Sequence, residues 1–496
     1  MGYIPRVREL VSRHLRFFIA VSAAALLLRV LFLLRFPGVV TDSFVYGDIA
    51  KNWLQHGIYG LSGPDEISPT YIRLPGYPAF LAMVWAVAGV EHYRAVLVAQ
   101  MLIDLLTCFL CADLARRELG WGAARLSFAA AAFCPFLANY AAAALTETFE
   151  VFATAAALNF ASRGLTGGKL RDWAACGGAS AVAIMLRPDG TLLVLAILVY
   201  LGAQLPWPRI SGKFMGRRKL VAAAVVVGLV SISPLVPWTL RNWRVFHRFQ
   251  PLAPRYANEE NEFVPLGFNR WVKTWIADYT SVEEIYWAVP GSPIEAEKLP
   301  GRAFDTPRQR SLTLELIADY NQLLHVSPEL DRRFLALAEE RIDSHPLRYY
   351  AVLPGLRVLD MWLRPRTEML PSDSRWWKFD DEPRWSALAV SLGVVNLFYV
   401  WVAVVGWIKR RKQPNLGLLL LFVVLRSAFL GTLENPEPRY TLEMYPVVIL
   451  FLAAALRKTA PSTPMSAVHA TPEENPTCES GFEHVRRATQ WRDDSR

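Results

Sequence analysis

Residues 17–36 read FFIAVSAAALLLRVLFLLRF. A helix rises about 1.5 Å per residue, so a run of about 20 residues covers the roughly 30 Å of a bilayer's hydrocarbon core. Arg6, Arg8, Arg13 and Arg16 precede it. A basic stretch before an apolar one also opens a secretory signal. This run is long for such a segment, no convincing small-residue cleavage site follows it, and further apolar blocks come after. It therefore reads as an uncleaved first membrane span.

The rest of the chain has the same character. Of 496 residues, 53% are hydrophobic and 20% charged, with a net charge of +9. Soluble domains run near 45–50% apolar and about 25% charged. Here the apolar excess is gathered into blocks with Lys and Arg between them, which excludes a disordered chain and a disulfide scaffold. Further spans are expected at about 95–114, 123–145, 148–162, 173–186, 191–205, 219–239, 385–408, 415–431 and 440–456, ten with the first. Residues 77–90 are too few to cross and suit an interfacial or re-entrant helix. Residues 346–364 also read as interfacial, interrupted by Arg348, Arg357, Asp360 and Arg364, with Pro354-Gly355 expected to break the helix.

Charge supports this count. With the N-terminus inside, the inner segments hold 21 Lys and Arg against three acids. The short outer turns hold Arg187 and Arg439 against Glu147, Asp189, Glu434 and Glu437. That is the positive-inside bias, and it would reverse if 77–90 crossed as well. The basic charge therefore needs no nucleic acid.

The expected organisation is an N-terminal transmembrane module, 1–239, with a first outer loop at 37–94. A small helical outer region follows at 240–384, with Trp271, Trp275, Trp376 and Trp377 as interfacial anchors. Spans close the membrane part at 385–457. The tail, 458–496, reads as disordered and cytoplasmic. The expected fold class is an all-α polytopic membrane protein.

This topology gathers polar groups on one side. Asp42 and Tyr46 share a helix face if residues 43–55 are helical, with Asp48 pointing elsewhere. Arg73, Arg94, Gln100, Glu147, Arg187, Arg241, Asn242, Arg439 and Tyr440 lie at or near the mouths of the spans. Glu150 is one turn below Glu147, and Arg426 lies within a span, where a charge is a functional candidate by default. Carboxylates supply general bases, and arginines bind phosphate by paired hydrogen bonds. The combination suits chemistry on a membrane-held phosphate, and a transport site equally. Asp42 also suits a helix N-cap, and the outer arginines suit interfacial snorkelling. Asp104, mid-span, fits either an interhelical contact or an ion pair. Cys108 and Cys111 have CxxC spacing without a second ligand pair, and no histidine spacing suits a metal.

In order along residues 1–457, several motifs resemble the GT-C membrane glycosyltransferases, especially bacterial relatives of protein O-mannosyltransferase and of the aminoarabinose transferase. They are Asp42, Tyr46, Ala50, Gly57 and Tyr59; Arg73, Pro75, Gly76, Tyr77 and Pro78; Arg94 and Gln100; Thr146 and Glu147; Arg187 and Pro188; Pro237, Trp238, Arg241 and Asn242; and Glu437, Arg439, Tyr440 and Pro446. The resemblance implies transfer of one sugar from a polyprenyl-phosphate donor to an acceptor at the outer face. Asp42 would be the base and Glu147 the assisting acid, with Asp48 and Glu150 as lesser acidic candidates. Arg94, Arg187, Arg241, Arg439 and Arg426 would hold the phosphate. Tyr46, Arg73, Tyr77, Gln100, Asn242 and Tyr440 would position substrate. No cofactor or metal is expected, and the partners are the lipid-linked sugar, membrane lipid and an unidentified acceptor. The implied location is the inner membrane, with cytoplasmic termini and a periplasmic site. A transporter, a lipid flippase and a non-catalytic scaffold remain alternatives. The scaffold would show no cavity joining Asp42, Glu147 and the arginines.

Overall fold

A computed structural model describes residues 12–206, 216–380, 382–413 and 415–457. Residues 458–496, read above as a disordered tail, and residues 1–11 lie outside the described residues. Helices dominate. Among the described residues, the strands form one two-stranded antiparallel hairpin, Gly60–Ser62 with Ile67–Pro69, in the first outer loop. Strands of three residues are too short to show alternation, so this hairpin is not legible in the sequence.

All ten expected spans are helical. They correspond to α1 (Leu15–Arg35), α4 (Tyr93–Leu119), the pair α5 (Trp121–Ala132) and α6 (Pro135–Ala141), α7 (Glu147–Gly167), α8 (Leu170–Leu186), α9 (Thr191–Ala203), α10 with α11 (Arg217–Ile232, Leu235–Phe246), α16 (Pro383–Arg410), α17 (Leu416–Leu430) and α18 (Tyr445–Leu456). Two further helices, α2 (Thr41–His56) and α3 (Gly76–Ala88), belong to the first outer loop. By length and composition five stretches can cross a membrane, or six if α5 and α6, bent by 52° at Pro135, count as one. The others are short, and α7 is buried along most of its length.

Contacts at the helix ends set the ends of the short helices beside those of the long ones. At one face Arg13 stacks on Trp121, Arg163 pairs with Asp172, and Arg217 reaches Leu205 O. Lys409 reaches Ala455 O, and Arg457 donates to Leu119 O. At the other face Gly38 pairs with Ala142 and Ala144, Phe36 packs on Trp385, Arg439 approaches Asp42, and Arg357 donates to Gly431 O. Successive segments alternate between these two sets. The result is an all-α, multi-pass membrane fold.

Inside the bundle, Arg29 of α1 is fully buried and donates through Nε to Asp104 Oδ2 at 2.6 Å. Its Nη1 donates to Ala132 O at 2.6 Å. Asp104 therefore ties α4 to α1 through Arg29, which in turn reaches α5. Cys108 and Cys111 are buried and free.

The outer region has its own core, in which α12 (Leu266–Lys273) packs on α14 (Pro328–Ser344). Trp271 and Trp275 are fully buried there, so they are core residues and not interfacial anchors; Trp377 is exposed. Residues 346–363 form one continuous helical run. Pro354-Gly355 does not break it. Pro354 falls in the first turn of α15 (Leu353–Leu363), directly after a π-helical turn at Arg348–Val352. Proline is tolerated where the amide has no intrahelical partner to lose.

Candidate active site

The site starts at α2. Val40 is its cap, with extended backbone, and the Val40 amide donates to Ser43 Oγ at 3.0 Å. Asp42 is inside the first turn and does not act as the cap, which leaves its carboxylate free for other partners. Arg73 Nη2 donates to Asp42 Oδ1 at 3.0 Å, and Arg439 Nη2 stands 3.5 Å from Oδ2. Tyr46, one turn on, lies under the Arg73 guanidinium at 5.5 Å. The shared face of Asp42 and Tyr46 is thus what positions Arg73. Burial works to raise the Asp42 pKa, but Arg439 and Arg73 outweigh it and hold the carboxyl below its ordinary value. The Asp42 side chain is still 35% exposed, enough for a reactant to reach it.

Glu147 opens α7 and is only 3% exposed. Its Oε1 lies 3.5 Å from Arg187 Nη1 and 3.7 Å from Arg439 Nε, while Oε2 is buried without a hydrogen bond. Arg439 therefore bridges Asp42 and Glu147. It is steadied by Glu437 Oε2 at 2.7 Å. Tyr440 supports both bridging arginines: its ring lies 4.7 Å from Arg187 and 5.4 Å from Arg439. Its hydroxyl donates to Glu437 Oε1 at 2.6 Å.

A second tier lies beneath. Arg426, fully buried, donates to Asp189 Oδ2 at 2.9 Å and to Glu443. Glu150 is fully buried with neither oxygen hydrogen-bonded, facing Glu443 and Asp189 across from Arg187 and Arg426. Glu443 escaped the sequence reading, although a carboxylate inside an apolar run is itself a signal. Asp189, in the turn between two short spans, is held below its usual pKa: burial opposes this, and Arg187 and Arg426 overcome it.

Several expected site residues do other work. Arg94 is exposed and makes no ion pair with the site acids. Arg241 donates to Thr70 O and Tyr59 O, both at 2.7 Å, so it pins the two ends of the outer hairpin. Asn242 donates to Gln250 O at 2.7 Å. Tyr77 donates to Gln100 Oε1, and Gln100 to Ala143 O, both at 2.6 Å, tying α3 to α4 below the site. Asp48 accepts from Ser62 N and Ser62 Oγ at 2.7 Å and holds the hairpin against α2. Among the described residues, no group of three or more His, Cys, Asp or Glu side chains could hold a metal.

A cluster of carboxylates and arginines thus stands at one mouth of a multi-pass helical bundle, and comparison with known proteins finds likenesses in both sequence and fold. Residues 69–238 match the family model described as dolichyl-phosphate-mannose-protein mannosyltransferase, about a third of the chain. The fold is similar to that of the archaeal oligosaccharyltransferase AglB from Archaeoglobus fulgidus, solved with an inhibitory peptide and a dolichol-phosphate. The TM-score is 0.50 at 12% identity, over 90% of this chain and 50% of that one. The chain thus spans about half the length of that protein. ArnT from Cupriavidus metallidurans, solved bound to undecaprenyl phosphate, matches at a TM-score of 0.38 and 16% identity, over 87% and 77% of the two chains. No curated protein matches the chain in sequence.

Proposed function

We propose that this protein is a membrane glycosyltransferase that moves a single sugar from a polyprenyl-phosphate donor to an acceptor at the face carrying Asp42. The observation that supports it most is the bridging of Asp42 and Glu147 by Arg439, with Arg73 and Arg187 alongside.

In the proposed reaction Asp42 takes the proton of an acceptor hydroxyl or amine. The acceptor attacks the anomeric carbon as the bond to the lipid phosphate breaks, with inversion. Arg73, Arg187 and Arg439 receive the charge that develops on the leaving phosphate, the larger electrostatic contribution. Arg73 and Arg439 pair with Asp42. Arrival of the donor would draw them toward phosphate and leave Asp42 a stronger base. Transfer without a metal, with arginines carrying the phosphate charge, is the proposed form. The inner membrane, with the site on the periplasmic side, is the proposed location.

The test is transfer from a labelled polyprenyl-phosphate sugar by purified protein in nanodiscs. Asp42→Asn should insert and fold normally and lose about 10²–10⁴ in rate, the usual weight of a general base. Turnover near that of the unaltered protein would remove Asp42 from the chemistry.

A further inference from the structure

At the ends of the helices opposite Asp42 and Glu147 lies a second charged recess that the transfer reaction does not use. α7 begins at Glu147 and ends at Gly167, so about 30 Å of helix separates the two places. The recess has a volume of about 210 Å³. Arg117 enters it from α4, Arg163 from α7, and Lys169 and Arg171 from the start of α8. Two of these cations are already balanced. Arg117 Nη2 donates to Asp113 Oδ2 at 2.5 Å, and Arg163, only 8% exposed, pairs with Asp172 at 3.2 Å. Lys169 and Arg171 form no ion pair among the described residues. Lys169 also precedes α8 without a side-chain cap, so the first amides of that 17-residue helix point outward with the positive end of its dipole.

Membrane orientation alone asks only that cations lie near one face. It does not ask that four of them, from three helices, converge on a hollow, one of them buried. We propose that this recess binds a phosphate group, held by Lys169, Arg171 and the α8 amides, with Arg163 and Arg117 behind them. Two sources share that chemistry: the headgroup of an anionic phospholipid in the adjacent leaflet, and a free phosphate from solution. Basic hollows between membrane helices commonly take lipid headgroups.

The full chain in nanodiscs tests this. Phosphatidylglycerol retained by the protein is counted by native mass spectrometry, and inorganic phosphate is titrated separately against protein in phosphatidylcholine discs. Lys169→Gln with Arg171→Gln should weaken phosphatidylglycerol retention about thirtyfold, from about fivefold per cation near the surface. Arg218→Gln with Lys219→Gln, exposed at the start of α10 and outside the lining of the recess, is the charge-matched control and should change little. If phosphatidylglycerol is not retained but inorganic phosphate binds and the Lys169/Arg171 variant abolishes that binding, the recess takes a free phosphate. Equal losses in both variants would reveal diffuse surface attraction and overturn the proposal, as would binding of neither probe.

Discussion

Asp42 and Arg94 both stand at helix starts on the same membrane face, yet only one belongs to the site. Position along a helix is legible in sequence; rotation about its axis is not, when the neighbours are unknown. Arg439 faces inward because its own turn is pinned by Glu437 and Tyr440, while Arg94 faces out. Arg439→Gln should therefore lower the transfer rate at least tenfold, against a change under twofold for Arg94→Gln, read by the same nanodisc assay. The two arginines on Asp42 also set its pH behaviour. In the free protein the Asp42 pKa is depressed below the ordinary aspartate value of about 3.9, so the base is ionised throughout the neutral range. The acid limb of kcat/KM, which reports the free enzyme, should lie below that value. If donor phosphate draws Arg73 and Arg439 away, the acid limb of kcat should lie at higher pH. Coincident limbs would mean that the arginines stay on Asp42 through turnover. Glu150 gives a contrasting expectation. Nothing donates to either oxygen, so Glu150→Gln loses no hydrogen bond and should retain most of the activity.

Among the helices, long apolar runs and their basic flanks were enough to place a helix at each of the ten expected positions, five or six of which are long and apolar enough to cross a membrane. What they left out was the contacts inside the bundle. Arg29 lies within the first apolar run, where nothing local reveals that it faces Asp104, 75 residues away. Trp271 and Trp275 show the same limit. An aromatic near a membrane and an aromatic in a small soluble core have the same local sequence, and only the packing of α12 on α14 separates them. The Arg29–Asp104 pair carries its own test. Asp104→Leu alone strands a buried guanidinium, at a cost of about 3–5 kcal/mol. Replacing both, Arg29→Met with Asp104→Leu, removes both desolvated charges and should recover most of that loss. Thermal unfolding in detergent would read this out, and equal destabilisation of the single and double variants would deny the pair its structural role.

At the scale of the molecule, the +9 net charge conceals two opposite distributions. One face carries an excess of Lys and Arg, only some of them paired, as Arg117 is with Asp113 and Arg163 with Asp172. The other carries carboxylates and arginines matched to one another around Asp42 and Glu147. An outer region is fastened to that second face: Arg255 donates to Glu434 Oε2 at 2.7 Å, and Arg357 of α15 donates to Lys273 O and Gly431 O. Because helices insert with their basic ends toward the cytoplasm, the two faces should have fixed and opposite access. Glu297, exposed in the outer region, and Arg218, exposed at the start of α10, mark them. Cys108, Cys111, Cys134 and Cys176 are buried, so replacing Cys478 leaves a background suited to labelling. A cysteine at Glu297 should react with an impermeant maleimide added to cells whose outer barrier has been opened. A cysteine at Arg218 should react only after the membrane is permeabilised. The reverse pattern would turn the molecule over and place the Asp42 site in the cytoplasm, where the proposed donor lipid would have to present its sugar on the inner leaflet.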